Sequence, residues 1–153
     1  MAIQHWIMKS EPGTYSIDDL KSDKKTIWDG IRNYQARNFM MNDMKKGDLV
    51  FFYHSNCDVP GIYGLAEIVK PSVVDPTAFD KKSKYFDEKS TPEKPRWYCS
   101  ELKYKKKFKS GLSLETMKET PSLKDLLILR RGNRLSITPV ELKDAKKLIS
   151  MLV

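Results

Sequence analysis

Cysteine is scarce: Cys57 and Cys99 are the whole supply in 153 residues, and no short spacing pairs them. A disulfide framework and a CxxC zinc site are therefore not expected. Histidine is equally thin, with His5 and His54 alone, so a metal site would need His5, His54, Cys57 and Cys99 to converge from four separate stretches, and none is expected. Long apolar runs are missing, and the start, MAIQHWIMKSEP, lacks the hydrophobic region of a signal peptide. No membrane partner is expected, and the chain reads as intracellular: cytoplasmic in a bacterium, with the nucleus open to it in a eukaryote. Seven glycines are too few and too scattered for a phosphate loop; WDGIRN has a single Gly, and nothing matches GxxxxGKS or GxGxxG. No cofactor is expected. Acidic residues fall short of basic ones, 20 against 28, leaving a formal charge of +8 and a pI of about 9.4. An excess of this size favours polyanions through counterion release, although part of it serves solubility.

What remains is ordinary globular material, 40% hydrophobic and 31% charged. One domain over residues 1–153 is expected, without internal repeat or heptad, and monomeric. HWIM (His5–Met8) reads as an opening strand stopped by Pro12, which puts Lys9, Ser10 and Glu11 at its end. Ser16-Ile17-Asp18-Asp19 reads as a capping box for a helix to about Lys21, followed by a charged turn, SDKK. A short helix is expected over Asn33 to Met44, with Ala36, Phe39, Met40 and Met44 on one face. LVFFYH places apolar side chains on both faces of a strand, and IYGLAEIV supplies its hairpin partner, with Gly64 marking a bend or a close backbone approach.

From Pro71 to Pro95 the composition turns polar, as in a long excursion whose Tyr85 and Phe86 could anchor a flap. RWYCSELKYKKKF (Arg96–Phe108) is the next strand, its lysines interleaved with aromatics, a pattern shared by nucleic-acid surfaces and protected edge strands. Two short helical pieces follow around Pro121, then the turn Arg130 to Arg134, then LSI as a last short strand. Thr138 as cap with Pro139 at the first helical position predicts a closing helix whose buried stripe is Ala145, Leu148, Ile149 and Leu152. The order predicts an α+β domain around a small curved or barrel-like sheet.

The densest chemistry lies in WDGIRNYQARN, Trp28 to Asn38. Trp28 could be a core residue, but the polar company of Arg32, Asn33, Gln35, Arg37 and Asn38 asks for partners; Asn33 could cap a helix, and Arg37 could pair with Glu11 or Asp29. His54, Ser55 and Cys57 offer a base and nucleophiles, so an enzyme or a small-molecule or nucleotide binder is an alternative. A protein-interaction domain built on the basic strand around Lys105 is another.

The motifs HWIMKSEPGTYSIDDL, WDGIRNYQARNFM, GDLVFFYHSN, PGIYGLAEIV, PRWY and RLSITPV, in this order across nearly the whole chain, resemble the EVE domain family. Ile31 and Ile137, where Val is usual, are conservative departures. The resemblance implies a PUA-like fold, a small pseudo-barrel with peripheral short helices, related to the YTH domain that reads methylated adenine in RNA. It also implies a non-catalytic binder of nucleic acid, DNA or RNA, that accommodates a modified base, with modified cytosine such as 5-methylcytosine favoured. Carried over by residue, it implies a base pocket lined by Lys9, Ser10, Trp28, Asn33, Tyr34, Arg37, Tyr53, His54 and Ser55, closed by Arg134 and Ser136. The remaining walls of an aromatic cage would come from Tyr53, Tyr85 or Phe86. Phosphates would fall to Arg32, Arg130, Arg131, Lys105, Lys106 and Lys107, together with Arg37, Arg134 and the rest of the Lys103 to Lys109 run.

Overall fold

In the computed structural model, which describes residues 3–152, β1 is His5–Ser10, β2 Lys25–Ile27, β3 Leu49–His54, β4 Gly61–Val74, β5 Tyr98–Ser113 and β6 Ile137–Val140. They form one mixed sheet in the order β2-β5-β4-β3-β1-β6. Only β1 and β3 run parallel; the other neighbours are antiparallel. Among the described residues the edge strands β2 and β6 do not pair with each other, so the sheet curves without closing. Its curvature has a local cause, because the long pair β4 and β5 shifts register four times. Each shift bends the ladder and adds twist.

Both faces of the sheet are covered, which explains the unbroken apolar run of β3. Val50 and Phe52 enter one core with Trp6 and Met8, while Phe51 and Tyr53 enter a second with Ile7. The first is roofed by α1 (Ile17–Asp23), by α2 (Tyr34–Asn38) and by a wide π turn, Phe39–Asp43. The second lies under α3 (Leu114–Lys118), two 3-10 turns and α4 (Leu142–Met151). The buried Asp48 carboxylate ties the start of β3 to β1, accepting from Trp6 Nε1 at 3.1 Å, Gln4 N at 3.1 Å and Lys45 N at 2.9 Å.

Local signals read well where they are self-contained. The Ser16 box closes in both directions, with Asp19 N donating to Ser16 Oγ and Ser16 N donating to Asp19. Gly64 sits where β3 and β4 slip register, and a Cβ there would collide with the Ile17 side chain. The close approach is that of α1 against the sheet. The expected Asn33–Met44 helix is interrupted: after five α residues the chain widens into the π turn, still burying Met40 and Met44.

Four expectations need correction. Thr138 and Pro139 do not start a helix but lie inside β6, where an edge strand has room for a residue without an N–H; α4 begins three residues later, with Glu141 at its cap and no side-chain capping bond. Ile149 faces solvent, so the buried apolar stripe of α4 is Ala145 and Leu148, continued by Leu152 just past its end. The polar excursion starts after Val74 instead of at Pro71, and the end of SDKK contributes the first residue of β2.

Candidate functional site

Where β1 ends and the chain leaves β2, a cavity of ≈ 470 Å³ opens. Its wall is built from Lys9, Ser10 and Glu11 on one side, Thr26 to Ile31 on another, and Thr14 with Tyr15 from the approach to α1; Lys84 and Tyr85 of the polar excursion complete it. The volume suits a small ligand. Trp28 N donates to Ser100 O at 2.8 Å, which pins the indole's backbone to β5. The ring meets Phe52 edge-on at 5.4 Å and stays 8% exposed, so Trp28 is both a core residue and a cavity wall.

Tyr85, a second aromatic on the cavity wall, is held by a latch that the sequence does not reveal. Gly30 takes φ +79, and a Cβ at that position would lie 2.6 Å from Tyr85 Cε2; the tyrosine ring occupies the space a side chain would need. Arg32 then fastens the excursion from behind. Its Nε and Nη2 donate to Tyr85 O at 3.0 and 2.6 Å, and its Nη2 also donates to Thr77 Oγ1 at 3.2 Å. Its guanidinium stands 5.6 Å from the Tyr85 ring centroid and 5.0 Å from that of Trp97. Asp75, 1% exposed, accepts from Arg32 Nη1 at 3.1 Å, Gly30 N at 2.8 Å, Thr77 N at 2.8 Å and Thr77 Oγ1 at 2.6 Å. Burial alone would raise the Asp75 carboxyl; the hydrogen bonds from Thr77, Gly30 and Arg32 outweigh it and hold the group below the usual carboxylate range. Asp29, on the cavity wall, moves the other way, raised by burial and by the like charge of Asp75 against the pull of Arg32.

Of the residues expected to line the site, Lys9, Ser10 and Trp28 meet in this cavity. Ser136 is next door, its carbonyl accepting from Lys9 N at 2.8 Å. Asn33, Tyr34 and Arg37 lie elsewhere. Asn33 caps α2 by accepting from Ala36 N. Tyr34 stacks on Trp97 at 4.9 Å, and Arg37 lies 4.7 Å from the Tyr34 ring centroid, donating to Arg96 O and Asn38 Oδ1 and not to Glu11 or Asp29.

Tyr53 is buried in the second core, under Lys9. His54 accepts from Ile17 N through Nε2 at 3.1 Å and packs against Phe52 and Tyr63; burial lowers its pKa, so the ring stays neutral to serve that bond. The Ser55 amide bonds to Ser10 O at 2.9 Å, tying the end of β3 to the end of β1. Phe86 lines a separate cleft with Phe79. Among the expected phosphate ligands, Arg32 is consumed by the latch, Lys105 pairs with Glu67 at 3.2 Å and Lys107 with Asp18 at 2.8 Å; Lys106, Arg130, Arg131 and Arg134 are exposed. Cys57 and Cys99 are free thiols, and no group that could hold a metal ion exists among the described residues.

The wall residues with polar side chains not foreseen are Glu11, Thr14, Tyr15, Thr26, Asp29 and Lys84. The excursion had announced Tyr85 by its aromatics; nothing local announces the others.

An α+β domain whose curved sheet carries one aromatic-walled cavity at the ends of β1 and β2 is a PUA-like domain. The EVE domain model matches residues 4–151, and the chain belongs to that family. Thymocyte nuclear protein 1 of Homo sapiens is 38% identical over 166 residues, covering 96% of this chain and 73% of the relative. A crystal structure of a Pseudomonas syringae protein superposes with a TM-score of 0.91 at 44% identity, over 96% of this chain and 98% of that one. The human THYN1 protein, solved in complex with 5-methylcytosine-containing DNA, superposes with a TM-score of 0.89 at 38% identity, over 97% and 96%.

Proposed function

We propose that this chain is a non-catalytic DNA-binding module that reads a modified base, with a modified cytosine as its preferred ligand. The base enters the cavity between Trp28 and Tyr85. The observation that carries the reading is the likeness, over almost the whole chain, to a protein solved with 5-methylcytosine-containing DNA, combined with a cavity of base-like scale walled by aromatics. A base turned out of its strand meets Trp28 and Tyr85 as apolar surfaces, and stacking of this kind contributes about 1–3 kcal/mol. A 5-methyl group adds about 0.8 kcal/mol when buried, which is roughly fourfold in affinity. Discrimination against plain cytosine is therefore modest, and most of the affinity comes from extruding and stacking the base and from phosphate contacts.

Lys9 and Lys84, on the cavity wall, hold the flanking phosphates, with Arg134 beside Ser136 and exposed Lys106, Arg130 and Arg131 extending the basic surface. Ser10 and the hydroxyls of Thr14, Tyr15 and Thr26 supply polar contacts to the base edge. The arrangement of His54 supports binding over catalysis, because its Nε2 already accepts a backbone hydrogen bond.

The test is equilibrium binding to short DNA and RNA, single- and double-stranded, carrying cytosine, 5-methylcytosine, adenine or N6-methyladenine at one position, at two salt concentrations. Preference for one modified base that persists at the higher salt is expected, because phosphate attraction fades there and base contacts do not. Trp28→Ala abolishes that preference. Binding indifferent to the modification, or unchanged in Trp28→Ala, would refute the reading and turn attention to nucleotides and small molecules in the same cavity.

A further inference from the structure

A pocket that accepts 5-methylcytosine faces an impostor. Thymine carries the same 5-methyl group on the same ring, and the Watson–Crick edge separates the two: cytosine presents an amine at C4 where thymine presents a carbonyl oxygen, and N3 accepts in cytosine where it donates in thymine. Stacking on Trp28 and an apolar wall for the methyl cannot tell them apart. Hydroxyls discriminate weakly: Thr14 and Thr26 donate or accept as the ligand requires, while Ser10 and Tyr15, whose protons go to Tyr15 O at 2.6 Å and to Asp23 Oδ2 at 2.8 Å, offer a ligand only a neutral oxygen. Lys9 and Lys84 only donate, which favours carbonyl oxygens and phosphates. Among the lining side chains the strongest discriminator is a charged acceptor that cannot donate, because it attracts the amine and repels the carbonyl.

Two carboxylates line the cavity, Glu11 and Asp29. Both are solvent-exposed, but Glu11 is already engaged, Asn56 Nδ2 donating to its Oε1 at 2.7 Å. Asp29 adjoins the indole wall and stands on fixed backbone. Trp28 N bonds to Ser100 O at 2.8 Å, Asp29 N to Ile27 O at 3.0 Å and Gly30 N to Asp75 Oδ2 at 2.8 Å. Among the described residues no side chain donates to the Asp29 carboxylate; a backbone hydrogen bond takes part of its accepting capacity, and the rest is open to a ligand. From this geometry we infer that Asp29 is the specificity-determining residue of the cavity, its carboxylate accepting the exocyclic amine of a cytosine-type base and repelling the carbonyl oxygen of thymine.

The inference rests on the base-reading function proposed above. Its electrostatics fit in direction: partial burial and the nearby charge of Asp75 disfavour the Asp29 carboxylate against the pull of Arg32 and a backbone hydrogen bond, and an incoming amine would favour the charged form. Acceptance of the cytosine amine by Asp or Glu is an established mode of base readout.

The experiment uses the full chain and DNA duplexes with cytosine, 5-methylcytosine or thymine opposite an abasic site, so that extruding the test base costs the same pairing in each. Wild type is expected to bind 5-methylcytosine at least about tenfold more tightly than thymine. In Asp29→Asn the amide can turn its NH₂ toward a carbonyl, and the ratio is expected to fall within about threefold. Asp29→Glu keeps an acceptor-only group and is expected to keep the sign of the preference while losing affinity. A ratio preserved in Asp29→Asn, or a reversed sign in Asp29→Glu, would overturn the role of Asp29. If wild type still favours 5-methylcytosine over cytosine in that case, the base-reading function stands without it. If wild type distinguishes none of the three bases, both fail together.

Discussion

Replacing Asp75 by Asn tests the latch with almost no change of shape. The carboxylate receives four hydrogen bonds, from Gly30 N, Arg32 Nη1, Thr77 N and Thr77 Oγ1, and is 1% exposed. An amide offers one acceptor oxygen, so either the Gly30 and Arg32 donors or the two from Thr77 must face an NH₂ group. Hydrogen bonds to charged groups contribute about 1.5–3 kcal/mol each, and Arg32, itself 22% exposed, can recover part of its loss in water. The net cost is about 3 kcal/mol, which for a domain of this size is a fall in Tm of about 6–12 °C.

Thermal melts followed by circular dichroism at pH 7 read it directly. The same gap should depend on pH in a fixed direction. The folded carboxyl lies below its unfolded value, so its contribution is complete above about pH 4 and is lost as pH falls through the folded pKa. Wild type and variant should therefore converge in strong acid. A fall in Tm below about 2 °C at neutral pH, or a gap that does not close in acid, would refute the account of Asp75 as the charged centre of the latch.

Gly30→Ala brings a Cβ within 2.6 Å of Tyr85 Cε2 at a φ of +79; it is expected to cost about 1–3 kcal/mol and to weaken base binding together with stability, read by melts and oligonucleotide titration. Asp48→Ala removes the acceptor for Trp6 Nε1, Gln4 N and Lys45 N and is expected to destabilise by about 2–4 kcal/mol in urea unfolding without altering the base preference of the protein that remains folded. His54 has a lowered pKa, so the folded state takes up its proton later than the unfolded one; the stability it supplies is complete above about pH 6.5 and declines as pH falls below that, and a proton NMR titration should show the imidazole titrating below its ordinary value. Lys106→Ala is expected to weaken DNA binding about equally for every base and to shrink the slope of log affinity on log salt by about 1, as loss of one phosphate contact requires.

The parts of the fold that were legible from the residues are those whose causes are adjacent in sequence. Ser16 and Asp19 cap each other across three residues, and LVFFYH declares its two covered faces by composition. Thr138-Pro139 failed for the same reason: its local chemistry is a good helix start, and only the neighbouring strand β1, far away in the chain, turns it into an edge strand. Much of the polar company around Trp28 is now explained by structure, since Asn33 caps α2, Arg32 fastens Tyr85 and Arg37 packs on Tyr34. The indole itself does line a cavity. Arg32 looked like a phosphate ligand because its partner Asp75 lies 43 residues on, beyond anything spacing can indicate. Asp29, Thr26 and Lys84 share a wall only after β2 has docked on β5 and the excursion has folded back, so no single stretch could name them together.

The place of β1 in the sheet bears on how the protein is made. His5 pairs on one side with Leu49 and on the other with Val140. During synthesis at about 5–20 residues per second, the partner on the second side is not made until on the order of ten seconds after His5 leaves the peptidyl transferase centre. For that interval β1, with Trp6 and Met8 on it, has an unpaired edge beside an unfinished core. An unpaired apolar edge is a template for a neighbouring nascent chain. This sheet therefore depends on chaperone cover during translation more than its size suggests, and synonymous codons that slow the ribosome before Ile137 should lower its soluble yield.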